Sequence, residues 1–140
     1  MNTSFTFTNC GASGQYGPTL AQCQSSYSGT SWTQNTSYFN MTTQGYQLWT
    51  VPVTGTYTIT VAGAVGGQDL SGNHIPGSGI ILTFTITLNI NNILCICIGQ
   101  SGGPNTWSVR SYYDSTGGGS AAVDNFLSFI VFFSFFMILS

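Results

Sequence analysis

The sequence predicts an all-β domain, an antiparallel β-sandwich or jelly roll with glycine-rich loops, and three observations carry that prediction. Apolar residues alternate with Thr or other polar residues over several short segments, the two-residue period of half-buried strands. Turn residues separate these segments, as in sandwiches. Long amphipathic helix patterns are absent.

The elements follow in order. Phe5-Thr6-Phe7-Thr8 alternates and reads as a first strand, and residues 10–44 read as a turn-rich loop around Gly11, Gly14, Gly17 and Pro18. Tyr46, Leu48 and Thr50 then alternate with Gln47, Trp49 and Val51, ending at Pro52. After a turn at 53–55, Thr56 to Ala62 puts Tyr57, Ile59 and Val61 on one face. These two strands are expected to form an antiparallel hairpin with one buried face. Residues 63–79 form a flexible stretch, followed by Ile80 to Leu88 with Ile80, Leu82, Phe84, Ile86 and Leu88 on one face. A turn at Asn89 to Asn92 is expected to let Ile93 to Ile98 pair back. Residues 99–119 are again loop.

Charge narrows the function classes. Only 3% of the 140 residues are charged, against about 25% in ordinary domains. The set is Arg110, Asp69, Asp114 and Asp124, with His74 the one histidine. One Arg cannot form a basic groove, so nucleic-acid binding is excluded. Scattered Asp residues make a poor cage for a hard cation. His74 and Asp69 lie five apart in a Gly/Ser/Asn loop and read as ordinary loop residues, not a catalytic pair. No G-x-S-x-G or Walker motif occurs, and neither an enzyme nor a cofactor is expected.

Polarity comes instead from Ser, Thr, Asn and Gln. Three sequons begin at Asn2, Asn35 and Asn40, which makes glycans on a surface-exposed region an expectation. Cys10 and Cys23 enclose a loop poor in apolar residues. A disulfide there would contribute about 3 kcal/mol by restricting the unfolded chain, and a zinc site is the poorer alternative because no His lies nearby. Cys95 and Cys97 are two apart on a strand and share a face; they read as buried free thiols.

Residues along the chain also resemble a known family. Cys10-Gly11-Ala12-Ser13-Gly14, Tyr16-Gly17-Pro18-Thr19 and Ala21-Gln22-Cys23 are similar to the start of the glycine-rich extracellular domain of anaplastic lymphoma kinase and leukocyte tyrosine kinase receptors. Gln47-Leu48-Trp49-Thr50-Val51-Pro52, Thr54-Gly55-Thr56-Tyr57, Gly63-Ala64-Val65-Gly66-Gly67 and Ile98-Gly99-Gln100-Ser101-Gly102-Gly103 continue the likeness. The resemblance implies a tumour-necrosis-factor-like sandwich, a disulfide between Cys10 and Cys23, and action by protein–protein contact without catalysis. Here a single three-residue glycine run, 117–119, replaces the family's long ones.

The carboxyl-terminal run, 126–140, stands apart from the domain at 1–125. Residues 126–139 hold 12 large apolar residues interrupted only by Ser128 and Ser134. As a helix the run would span about 21 Å, short of the roughly 30 Å of a bilayer core, so a membrane span is not expected. As a strand it aligns Leu127, Phe129, Val131, Phe133, Phe135, Met137 and Leu139 on one face. It is expected to be a final core strand, or a strand donated to a neighbouring subunit. Trp107, Arg110, Tyr112 and Tyr113 form a candidate contact loop, and Trp32 is a further aromatic candidate for a sugar-binding face, whereas Trp49, in an alternating strand, is expected to belong to the core. The expected function is that of an extracellular structural or adhesive module, a subunit of a self-assembling fibre or filament, with a ligand-binding receptor ectodomain fragment recognising a protein or carbohydrate as the alternative. Its partner would be a copy of itself or another extracellular protein. Residues 1–9 carry no basic and apolar leader, so an exported protein of this sequence would be a mature or incomplete chain.

Overall fold

The structure, a computed structural model, describes residues 3–13, 16–67, 77–100, 129–131 and 134–139. Strands β1 (Thr3–Phe7), β2 (Phe39–Asn40), β3 (Tyr46–Thr50), β4 (Gly55–Ala62), β5 (Ile81–Leu88), β6 (Ile93–Ile98), β7 (Phe129–Val131) and β8 (Ser134–Leu139) form two four-stranded sheets. Their orders are β1-β8-β4-β5 and β2-β3-β6-β7. Among the described ladders all are antiparallel except β6 with β7.

Alternation decides which side chains meet. Phe5 and Phe7 of β1, Tyr57, Ile59 and Val61 of β4 and Leu88 of β5 are buried from the first sheet. Phe39, Trp49, Leu94, Ile96 and Ile98 are buried from the second, and all belong to one core. Contact between the sheets is aromatic: Trp49 meets Phe5 at 4.8 Å and Tyr57 edge-on at 5.8 Å between ring centroids.

Neither expected hairpin forms. β3 pairs with β2 and β6, whereas β4 pairs with β5 and β8, so each connection crosses from one sheet to the other. The inward faces of β3 and β4 are both large, and each is covered by packing against the other rather than lying side by side. Pro52 supplies no N–H for a hairpin ladder at that point. The two crossings are tied together at one end: Val51 N–H donates to Asn92 O (2.8 Å), Asn91 N–H to Val51 O (2.9 Å), and Ile90 N–H to Thr54 Oγ1 (2.8 Å).

Three further expectations change. Residues 10–44 are not only loop, since they contain the helix α1 (Leu20–Ser26) and a 3-10 turn at Trp32–Gln34. Thr19 and Gln22 cap α1 reciprocally: Thr19 Oγ1 accepts from Gln22 N–H, and Gln22 Oε1 accepts from Thr19 N–H. Seven residues burying only Cys23 are too few to show helical periodicity. The carboxyl-terminal run also divides, β7 joining one sheet and β8 the other. Within the chain, β8 lies between β1 and β4. The apolar face expected from Ile80 to Leu88 is buried only towards its end: Leu88 is covered, while Ile80, Ile81 and Leu82 are exposed.

Glycine permits one close crossing. Gly17 and Gly45 both have positive φ, 70° and 85°. A Cβ on Gly45 would come within 2.6 Å of the Tyr16 carbonyl oxygen. Gly45→Ala is therefore expected to destabilise by about 1–3 kcal/mol, from left-handed strain plus the displaced loop. Gly29→Ala, with open space and no positive φ, serves as the near-neutral control in thermal unfolding followed by circular dichroism.

Candidate functional site

The region between α1 and the sheets is held by one covalent and one polar link. Cys10 and Cys23 are joined as a disulfide, bringing the chain after β1 onto the buried side of α1. Cys10 itself sits at φ 52° with Gly11 at 70°, in a turn closed by Ala12 N–H to Asn9 O at 2.9 Å. This conformation is costly for a residue with a side chain.

Beside the disulfide lies a closed ring of hydrogen bonds. Thr8 N–H donates to Tyr27 Oη (2.7 Å), Tyr27 O–H to Gln47 Oε1 (2.9 Å), and Gln47 Nε2–H to Thr8 O (2.7 Å). Gln47 is fully buried on the inward face of β3, a polar residue where alternation calls for an apolar one. The ring satisfies its amide.

Tyr27 also stacks on Trp32 at 6.3 Å, and Trp32 in turn meets Phe5, Phe7 and Phe39 at 5.4, 5.3 and 5.9 Å. These contacts set the wall of a surface groove of about 300 Å³, lined by Thr3, Phe5, Trp32, Tyr38, Trp49, Pro52 and Val53. Tyr38 and Val53 at its rim are 41% and 52% exposed, enough to reach a partner. The rim is anchored, because Tyr57 O–H donates to Val53 O at 2.6 Å and Thr50 N–H to Tyr38 O at 2.8 Å. The buried Trp49 indole N–H has no acceptor among the described residues. None of the described residues that line the groove carries a charge, and most are aromatic or apolar.

The sequence-derived candidates are distributed unevenly. Asn35 is exposed and Asn40 half-buried. Asn2, Asp69, His74, Trp107, Arg110, Tyr112, Tyr113, Leu127 and Phe133 lie outside the described residues. Phe129 and Val131 fall on β7. Phe135, Met137 and Leu139 fall on β8, opposite Phe7, Phe5 and Thr3 of β1 and opposite Val61, Ile59 and Tyr57 of β4. Trp32 and Trp49 do come together at the groove. Tyr38, Pro52 and Val53 were missed in the sequence, since they carry no shared pattern and meet only through the crossing connections.

Cys95 and Cys97 are free and half-buried, on the face of β6 opposite the buried Leu94, Ile96 and Ile98. They therefore point away from the core that free thiols were expected to join. Burial pushes both thiols up, and each favours its neutral form; Cys97 raises Cys95 further. Among the described residues no group of three His, Cys, Asp or Glu side chains assembles, and no helix is long and apolar enough to cross a membrane.

With this geometry in view, the chain can be compared with known proteins. No family model matches the chain. Over 96 residues, 69% of its length, the chain is 38% identical to the leukocyte tyrosine kinase receptor of Mus musculus. The match spans 11% of that receptor, so the relationship concerns a small part of the larger protein.

Two outcomes follow from the site. Tyr27→Phe leaves Gln47 Oε1 and Thr8 N–H without their partner and is expected to cost about 1–3 kcal/mol in denaturant unfolding. Stability should also fall at alkaline pH. Burial raises the Tyr27 and Tyr57 phenols above 10.0 and the two thiols above 9.0. The unfolded chain then loses these protons first, so their contribution is complete below pH about 9 and is lost as pH rises through the folded values. A guanidinium midpoint unchanged from pH 8 to about 11 would count against this.

Proposed function

We propose that the chain is a non-enzymatic recognition module of an extracellular or cell-surface protein, folded as a jelly-roll sandwich. It binds another extracellular protein through the groove of Phe5, Trp32, Tyr38, Trp49, Pro52 and Val53. The observation that carries this reading is an open, neutral, aromatic groove in a chain related to a receptor. Aromatic anchors in desolvated pockets dominate the energetics of protein interfaces. The Cys10–Cys23 disulfide supports an oxidising compartment.

Assembly with copies of the same chain is a second reading, favoured by one feature. Among the described strands β5, eight residues with neither charge nor Pro, lies at a sheet edge, and Ile80 just before it and Ile81 and Leu82 at its start are exposed. Charges and Pro are common devices for blunting such edges.

The experiment is a binding screen of the full chain against displayed extracellular proteins, followed by titration of rim variants. Tyr38→Ala and Val53→Arg alter exposed positions and should preserve the fold. Each is expected to weaken partner binding about tenfold or more, the effect of losing about 1.4 kcal/mol at a contact. Unchanged affinity in both would remove the groove from the reading. Sedimentation of the intact protein showing concentration-dependent growth, abolished by Leu82→Lys, would favour assembly instead.

A further inference from the structure

Three sequons are present in the sequence, and the structure separates the two within the described residues. Asn35, Thr36 and Ser37 are all exposed. They occupy the connection between the 3-10 turn and β2, outside any sheet ladder. Asn35 Oδ1 accepts from Ser37 N–H at 3.0 Å, a local Asx turn that holds the amide oxygen. Its Nδ2 donates to no described residue. The backbone carbonyl of Asn35 accepts from Tyr38 N–H and Phe39 N–H at 2.9 and 3.0 Å, so the exposed side chain rises from a fixed turn.

Asn40 is differently placed. It lies within β2, paired opposite Leu48 of β3, directly after the fully buried Phe39. The middle residue of its sequon, Met41, packs against the core, and Met41 N–H donates to Asn40 Oδ1 at 2.8 Å. A glycan there would crowd a two-residue strand whose neighbours on both sides are held by the core.

We propose that Asn35 is an N-glycosylation site and that Asn40 is not. The site rests on the extracellular reading above, because the modification needs the secretory pathway. Transfer joins Asn35 Nδ2 to the first sugar carbon of a lipid-pyrophosphate-linked oligosaccharide. The bond from that carbon to pyrophosphate oxygen breaks, the lipid pyrophosphate leaves with the electron pair, and the amide nitrogen gives one proton to a base of the transferase. Asn35 stands between Trp32 and Tyr38 in the chain, both of which line the groove. The glycan therefore sits on the segment that supplies two of the groove's residues.

The test is expression of the full chain behind a secretory leader in a eukaryotic cell, with protein collected from the medium. Release of N-glycans by peptide N-glycosidase in heavy-oxygen water marks each occupied Asn as a labelled Asp. The expected result is label at Asn35 and none at Asn40. Asn35→Gln and Ser37→Ala should each remove that label, the second while retaining the Asn35 side chain; Asn40→Gln should leave it unchanged. Secreted, disulfide-bonded protein without label at Asn35, or with label at Asn40 in its place, overturns the proposal. That failure is separate from failure of the recognition reading, which is decided by the affinities of the rim variants.

Discussion

The ring joining Thr8, Tyr27 and Gln47 is the constraint on which the arrangement of this domain turns. Its three members come from three places: the end of β1 in one sheet, the end of α1, and the middle of β3 in the other sheet. Every donor in the ring has an acceptor, the Tyr27 hydroxyl lying near both Gln47 Oε1 and Thr8 O, so a buried polar patch that would otherwise cost about 1–3 kcal/mol per unpaired group is closed. Because the ring fixes Tyr27, it also fixes Trp32 stacked on it, and Trp32 forms a wall of the groove. The disulfide acts alongside by limiting where α1 can lie. A residue inside the core thus shapes a surface outside it.

Local order was legible in the sequence wherever it depended on a two-residue period. The strands around Phe5, Trp49, Ile59 and Ile96 lie where alternation placed them, and Cys10 pairs with Cys23. Partner choice was not legible, because alternation identifies a buried face without saying what covers it. The same pattern in Tyr57, Ile59 and Val61 suits a hairpin neighbour or an opposing sheet. What decided between them was the exchange of bonds between Val51 and the Asn91-Asn92 turn, set by positions forty residues apart. The capped helix escaped for a different reason: its signal was a Thr and a Gln three apart, and only Cys23 was buried. The groove was the least legible part, since Thr3, Trp32, Tyr38 and Val53 converge only after both crossings are in place.

A sequence poor in charge and the aromatic recognition proposed above suit each other. Without ion pairs to orient a partner, specificity must come from shape, from hydrogen-bonding backbone and from rigid rings. The rings here are rigid because they are packed in a continuous cluster from Tyr57 through Trp49 and Phe5 to Trp32. Relationship to a receptor over 69% of the chain is consistent with a surface of this kind. The self-association proposed as a second reading would draw on the same scarcity of charge, through β5 rather than the groove.

The placement of β8 bears on how the chain is made. Thr3 pairs with Leu139 and Phe7 with Phe135, so the amino-terminal strand meets its sheet neighbour only after residues 134–139 have emerged from the ribosome. At about 5–20 residues per second, β1 waits on the order of ten seconds for that neighbour. Until then neither β1 nor β4 can make its ladder with β8. The first sheet is therefore a late-closing structure, whose central strand is supplied by a segment far along the chain.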